Sequence, residues 1–291
     1  MRRLVAAALV LLVAGCTPGP PEPAPGTETL TVWQWNVAGW VLNGGSATNG
    51  MVQAAVTSIL SHDADLVAFN EICWDQFVAV RDRLHEVGWP ADSGRFGDAW
   101  SDHCAGKPFG NALLSRRPLG ATDRISLAVE PADEGEVRNL VCSVVAGTRL
   151  RFCVTHLSPH GVVATQSEQV RTHVEAYPET VVVAGDLNSQ PDVSRLDTWY
   201  SSSANTSINP DNSGRFRELG DTGSVCPGYG PATTYRTEDG PCGTGLRIDL
   251  IFVPEDRVAG RYSAASEPIT TACGGPCSDH RITYGRVTLR P

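Results

Sequence analysis

The chain has 291 residues, with 23 Lys and Arg against 32 Asp and Glu, a formal charge of −9. At 41% hydrophobic and 19% charged residues it is globular, with enough chain for one large domain and a substantial core. The acidity excludes a protein held on nucleic acid by a broad basic face, and 7% aromatics exclude an extended base-stacking platform. An enzyme that meets a phosphodiester through a bound cation stays open.

Arg2 and Arg3 precede an apolar run from Leu4 to Ala14. A membrane span needs about 20 apolar residues, so this run reads as the core of a signal peptide, residues 1–15. It ends in Val13-Ala14-Gly15-Cys16, which resembles the lipobox of bacterial lipoproteins and implies lipidation of Cys16. An ordinary secretory signal with a Cys at its cleavage site is the alternative. Thr17 to Glu28 carries five prolines in twelve positions. Those twelve residues form a stiff stretch roughly 37 Å long at about 3.1 Å per residue, and with Cys16 they make up a tether over 16–28. The expected protein is therefore extracytoplasmic and lipid-anchored to the bacterial cell membrane, with one domain over 29–291.

Within that domain, strand-like runs fall at 30–37, 65–70, 111–115, 140–145, 149–157, 180–185, 247–253 and near 284–289. Helical spacing of apolar residues predicts helices near 50–62, 74–87 and 163–177, as in Val52, Ala55, Val56, Ile59 and Leu60. Such mixing indicates an α/β or α+β sheet-layer protein. Segments 90–110 and 201–245 are rich in Gly, Ser, Asn, Asp and Pro and read as long surface loops.

Beyond Cys16 there are eight cysteines, an even number that in an exported chain predicts up to four disulfides. Residues 140–157 read as a hairpin around Gly147-Thr148, a type II′ turn that sets Cys142 opposite Cys153 within disulfide reach. A zinc site from Cys226, Cys242, Cys273 and Cys277 is the alternative for those four.

The most informative pattern is at the strand ends. Asn36 closes one apolar run and Glu71 another; His156 follows Phe152 to Thr155; Asp186 and Asn188 follow Val181 to Gly185. Asp249 lies inside Ile248 to Val253, and Asp279-His280 follows a Cys-Gly-Gly-Pro-Cys turn. One acid at a strand mouth is usually a turn-former. Six such ends suggest a shared edge where carboxylates and amides bind a hard cation beside two histidines. Mg²⁺, Mn²⁺ or Ca²⁺ suits oxygen ligands, with Mg²⁺ preferred, and such a site serves phosphoryl chemistry. His160 reads as a loop residue.

Trp35-Asn36-Val37, Phe69-Asn70-Glu71, Gly110-Asn111-Ala112-Leu113-Leu114-Ser115-Arg116, Thr155-His156-Leu157, Gly185-Asp186-Leu187-Asn188, Ile248-Asp249 and Ser278-Asp279-His280 resemble the ordered motifs of the endonuclease/exonuclease/phosphatase superfamily, the deoxyribonuclease I-like group. The resemblance runs from about residue 31 to 289. It implies a four-layer sandwich of two mixed sheets flanked by helices, and cation-dependent phosphoester hydrolysis. It implies Glu71 as main metal ligand, Asp279 as a second, and Asn36 as a group holding metal or phosphate. Asp186 orients or deprotonates the attacking water, and Asn188 contacts the phosphate. Asp249 fixes the tautomer of His280, which acts on the scissile phosphate, while His156 stabilises charge or protonates the leaving oxygen. Asn111 and Arg138 fall at family-like positions, as substrate contacts or structural hydrogen bonds. Asn70 stands where the family commonly has Gln. No acid supporting His156 is evident; Asp98 and Asp102 lie in a suitable loop without a motif.

The first expectation for the substrate is nucleic acid, DNA or RNA, cleaved by a surface-tethered monomeric nuclease without an obligate protein partner. Arg95, Trp100 and Lys107 are substrate contacts on this reading. A phospholipid head group, cleaved by a sphingomyelinase-like lipid phosphodiesterase, and a small phosphoester are the alternatives. A non-catalytic binding lipoprotein is a third.

Overall fold

The computed structural model describes residues 26–235, 240–269 and 272–290. The expected signal peptide, Cys16 and most of the tether lie outside the described residues. No helix among those described is long and apolar enough to cross a membrane.

The elements in chain order are β1 (Glu28–Asn36), α1 (Met51–Ser61), β2 (Leu66–Cys73), α2 (Trp74–Glu86), β3 (Gly94–Trp100), β4 (Phe109–Ser115), β5 (Leu119–Ser126), β6 (Asn139–Val145), β7 (Leu150–His156), α3 (Val163–Glu175), β8 (Thr180–Asp186), β9 (Phe216–Glu218), β10 (Asp249–Pro254), β11 (Ser263–Glu267) and β12 (Ile282–Leu289). Among the described residues the strands form two six-stranded sheets, ordered β11-β12-β1-β2-β4-β3 and β5-β6-β7-β8-β10-β9. Both are mixed: β1 runs parallel to β2 and β7 to β8, and the other pairs are antiparallel.

The layers follow from period-2 patterning, because alternate residues of a strand face opposite sides. One set, including Val32, Ala68, Val154, Val182 and Ile251, packs between the sheets. The other faces of the first sheet, with Trp33, Trp35 and Phe69, pack on α1 and α2. In the second sheet Cys153, Val183 and Phe252 pack toward α3, Trp199 and Tyr200. The expected four-layer sandwich is thereby present.

All eight expected strands and three expected helices form. The strands not foreseen are β3, β5, β9 and β11. They lie at or beside sheet edges and lack an apolar alternation; five of the eight residues of β5 are exposed. Segment 90–110 is accordingly not a free loop but carries β3 and the start of β4. Segment 201–245 is largely irregular. Arg247 braces it by donating to Glu218 Oε1 (2.6 Å) and the Pro231 carbonyl (2.8 Å).

Four disulfides join Cys73 to Cys104, Cys142 to Cys153, Cys226 to Cys242 and Cys273 to Cys277. The zinc alternative is thus overturned, since its four sulfurs are consumed in two bonds. The hairpin register is as expected, with Cys142 opposite Cys153 and Cα atoms 4.0 Å apart. Its turn differs. Thr148 N–H donates to the Val145 carbonyl, so the turn closes one residue earlier and Gly147, at φ 77°, holds its second central position. That position takes a left-handed residue in a type II turn, which is what Gly supplies. Four disulfides suit an oxidising compartment outside the cytoplasm.

Candidate active site

The inter-sheet layer changes character along its length. Along β1 the inward residues run Leu30, Val32, Gln34, Asn36; along β2 Leu66, Ala68, Asn70; along β8 Val182, Ala184, Asp186. In β10, antiparallel to β8, Ile251 gives way to Asp249, which lies directly opposite Asp186. His156 likewise lies beside Asp186 in the parallel β7–β8 pair. The same end of every inner stripe is therefore polar, and a cleft of about 540 Å³ opens there.

Buried amides join the two sheets beneath this cleft. Gln34 Nε2 donates to Asn70 Oδ1 (3.1 Å) and Asp249 Oδ1 (3.0 Å). Asn70 Nδ2 donates to Asn111 Oδ1 (2.8 Å) and the Thr155 carbonyl (2.9 Å), and its Oδ1 accepts from Asp186 N–H (2.8 Å). Asn111 passes the chain to Asn139 (3.0 Å). The shorter amide at 70 thus spans the sheets, and Asn111 is a structural link rather than a cleft-lining group.

Backbone irregularity aims the reactive side chains. The β2–β4 register shifts between Phe69 and Ile72, and Glu71 sits in that bulge at φ 55°. Asn188 is also left-handed, at φ 46°. Such residues cost about 1–3 kcal/mol each and persist only where surrounding bonds hold them. At Gly185 a Cβ would lie 1.9 Å from the Thr155 carbonyl oxygen, so the strand pair carrying His156 and Asp186 requires glycine there.

Asn36 Nδ2 donates to both Glu71 Oε1 (2.9 Å) and Asp186 Oδ2 (3.1 Å). Asp186 Oδ1 accepts from Asn188 N–H (2.9 Å). The Asp186 carboxyl is pushed up to about 7 by burial, opposed by His280 and reinforced by Asp249. His280 Nδ1 bonds Asp249 Oδ2 at 2.8 Å and its Nε2 faces Asp186 Oδ2 at 3.6 Å. Burial works against the imidazolium, but Asp249 and then Asp186 push His280 up to about 10. The Ser278 hydroxyl accepts from His280 N–H (3.0 Å) and donates to the Asn36 carbonyl (2.7 Å), fixing the histidine's backbone against β1. Asp279 is exposed and lines the cleft rim.

His156 behaves oppositely. Burial, Arg138 and His280 hold it well below the ordinary imidazole range, so it is neutral. Arg138 Nη1, which can only donate, lies 3.0 Å from His156 Nδ1, while Nε2 lies 3.3 Å from Asn188 Nδ2 and 3.5 Å from Asp186 Oδ2. The acid on the Nδ1 side of His156 is Glu136, with Oε1 3.9 Å from Nδ1 and 2.8 Å from Arg138 Nη1. Sequence reasoning missed it because no strand precedes it; its only signal is the acidic run Asp133-Glu134-Gly135-Glu136 before Arg138. Asp98 and Asp102 line no part of the cleft. Burial pushes Glu136 up to about 7 against the pull of Arg138.

The donor set fits a hard cation: carboxylate oxygens and amides line the cleft, and positive charge placed there would favour the ionised form of the buried Asp186 carboxyl. Asp186, Asp249 and His280 offer ligand atoms within 4.8 Å of one another. The Asp249–His280 hydrogen bond already occupies two of these atoms. Glu71, whose carboxylate faces the cleft beside Asp186, is the freer oxygen ligand.

The sequence from 33 to 280 matches the Endonuclease/Exonuclease/phosphatase family. No curated protein matches the chain. Among solved structures it is similar to an endonuclease/exonuclease/phosphatase from Beutenbergia cavernae DSM 12333, with TM-score 0.62 and 21% identity over 90% of this chain and 71% of that one. A protein of the same description from Bacteroides vulgatus gives TM-score 0.63 and 15% identity over 90% and 99%. TDP2 from D. rerio, complexed with a single strand DNA product, gives 0.59 and 16% over 90% and 99%. The family match spans most of the domain whose inner strand ends build the cleft, and the chain belongs to the endonuclease/exonuclease/phosphatase family of metal-dependent phosphoesterases.

Proposed function

We propose that the protein is a divalent-cation-dependent nuclease that hydrolyses phosphodiester bonds of DNA or RNA outside the cytoplasm. One observation carries the reading: the carboxylates of Glu71 and Asp186, the histidines His156 and His280 in opposite charge states, and the Asn188 amide all line one cleft. Glu71, with Asn36 hydrogen-bonded to it and Asp279 lining the same cleft, would hold the cation, Mg²⁺ by preference. The cation neutralises phosphate charge and helps supply hydroxide from water. Asp186, whose carboxyl is raised to about 7, takes the proton of the attacking water. The His280 imidazolium, held by Asp249, presents Nε2–H to the scissile phosphate. Asn188 adds an amide contact there, and neutral His156 stabilises charge on the leaving oxygen. The solved complex of TDP2 with single strand DNA product supports the choice of nucleic acid.

We also propose residues 1–15 as a signal peptide, Cys16 as the lipidated first residue of the mature chain, 16–28 as tether and 29–291 as the catalytic domain. The enzyme acts as a monomer on the membrane surface.

The test is hydrolysis of plasmid DNA, RNA and sphingomyelin by the purified protein with Mg²⁺, Mn²⁺ or Ca²⁺, with EDTA, and with His280→Ala. Metal-dependent cleavage of DNA or RNA, lost in the variant, establishes the reading. Cleavage of sphingomyelin alone replaces it with a lipid phosphodiesterase, and no turnover of any of the three refutes it.

A further inference from the structure

One wall of the cleft carries chemistry that the hydrolytic residues do not use. Trp100, His103 and Phe109 line it, with Val41 at the mouth, 76% exposed. Trp100 stacks on His103 with ring centroids 4.1 Å apart and planes 23° from parallel. His103 also meets Phe109 at 5.1 Å and Trp40 at 5.7 Å. The rings are therefore a fixed surface and not separate loop side chains. The disulfide Cys73–Cys104 ties the loop after β3 to the end of β2, two residues beyond Glu71. Cys104 N–H to Lys107 O (2.9 Å) and Trp74 N–H to Pro108 O (2.9 Å) hold the same loop. This wall is pre-organised and shares the cleft with Glu71.

The cleft's charge points the same way. Among the described residues lining it, Glu71, Glu136, Asp186 and Asp279 are acidic and Arg138 is the only Arg or Lys. Arg138 is itself engaged by Asp133 (2.9 Å) and Glu136 (2.8 Å). Lys107, in the same loop, is paired with Asp75 at 2.6 Å and does not line the cleft. A duplex is gripped mainly by Lys and Arg along both phosphate backbones, and the described residues lining this cleft form no such row. Its volume of about 540 Å³ suits a small guest and not a helix with its own stacked bases buried inside. Base-on-aromatic stacking, by contrast, needs an unpaired base and is tolerant of sequence.

We infer that the Trp100–His103 wall is a stacking subsite for an unpaired nucleobase next to the scissile phosphate, making the substrate single-stranded nucleic acid or a strand end. The inference rests on the nuclease reading above and names its substrate class. Binding then divides between the wall, which takes the base, and the carboxylate site, which takes one phosphate through its cation.

The experiment compares hydrolysis of one oligonucleotide, single-stranded and as a blunt duplex, by the full-length protein in detergent with Mg²⁺ or Mn²⁺. Wild type, Trp100→Ala and Trp100→Phe are assayed, with thermal unfolding of each. The expected result is at least about tenfold higher kcat/KM for the single strand. Losing a stacking contact of about 1–3 kcal/mol corresponds to a rise in KM of about 5- to 150-fold in Trp100→Ala, with kcat changed far less and KM largely restored in Trp100→Phe. Equal or faster cleavage of the duplex, or an unchanged KM in a folded Trp100→Ala, overturns the stacking subsite while leaving the nuclease reading intact. Failure to cleave either form overturns both.

Discussion

Replacing Asp249 by Asn isolates the charge of His280 with little change of shape. Asp249 is fully buried, takes Gln34 Nε2 on Oδ1 at 3.0 Å and His280 Nδ1 on Oδ2 at 2.8 Å. An Asn there keeps the volume and the bond from Gln34 but turns an N–H toward His280 Nδ1. The ring must then accept at Nδ1, carry its proton on Nε2 and become neutral. Between the ordinary 6.5 and about 10 lies at most roughly 4–5 kcal/mol of preference for the imidazolium. Asp249 is the foremost cause of it and Asp186 the next. The sign is that of a raised histidine: the stabilisation is complete below about pH 6.5 and lost as pH rises toward 10. Asp249→Asn should therefore flatten the decline of stability over that window. At pH 8 it should lower kcat by about 10²- to 10⁴-fold, the range of a misplaced acid–base group. Activity should recover in part toward pH 5 to 6, and an NMR titration of His280 should show its midpoint falling by several pH units. A kcat at pH 8 within threefold of wild type, or an imidazole still charged at pH 8, refutes the assignment.

Other consequences are as direct. Without a cation, the raised Asp186 carboxyl makes stability fall as pH climbs from about 4 to 7, so added Mn²⁺ should raise Tm more at pH 8 than at pH 5. At 100 times Kd the gain is about 2.7 kcal/mol, or some 5–10 °C in a domain of this size, and Glu71→Gln should remove most of it in a thermal melt. Glu136→Gln keeps an acceptor for Arg138 but removes charge beside His156, and should lower kcat by about tenfold in initial-rate assays with little change in Tm. Arg247→Met strands Glu218, with both side chains wholly buried in the wild type, and should cost about 3–5 kcal/mol in denaturant unfolding. Adding Glu218→Gln, which removes the unpaired charge and keeps an acceptor for the Gly220 and Ile251 N–H groups, should return part of that loss.

The sequence shows the fold best where strands are interior. The long apolar alternations of β1, β2, β7, β8 and β10 are legible because both faces of each strand are buried, and helices α1 to α3 because one face of each is. Strands β5 and β11, the outermost of their sheets, carry polar residues that satisfy neither pattern, and their pairing is decided by the neighbouring strands. The site was legible for the same reason as the core. Period-2 alternation carries on past the last apolar inward residue and delivers Asn36, Asn70, His156, Asp186 and Asp249 to one end. Glu136 and the Trp100–His103 wall escape that logic. They lie on connections whose course is set by Arg138, by the Cys73–Cys104 bond and by loop hydrogen bonds, none of which has a periodic trace in the chain.

On the proposed mechanism Glu71, Asp186 and His280 form one cation-dependent phosphodiesterase centre. Its most direct test is cleavage of a labelled single-stranded oligonucleotide by the wild type and by Glu71→Gln, Asp186→Asn and His280→Ala, with and without EDTA. Metal-dependent cleavage should fall by at least about 10²-fold in each variant, while all three stay folded. Cleavage that survives EDTA, or persists in any of the folded variants, contradicts it.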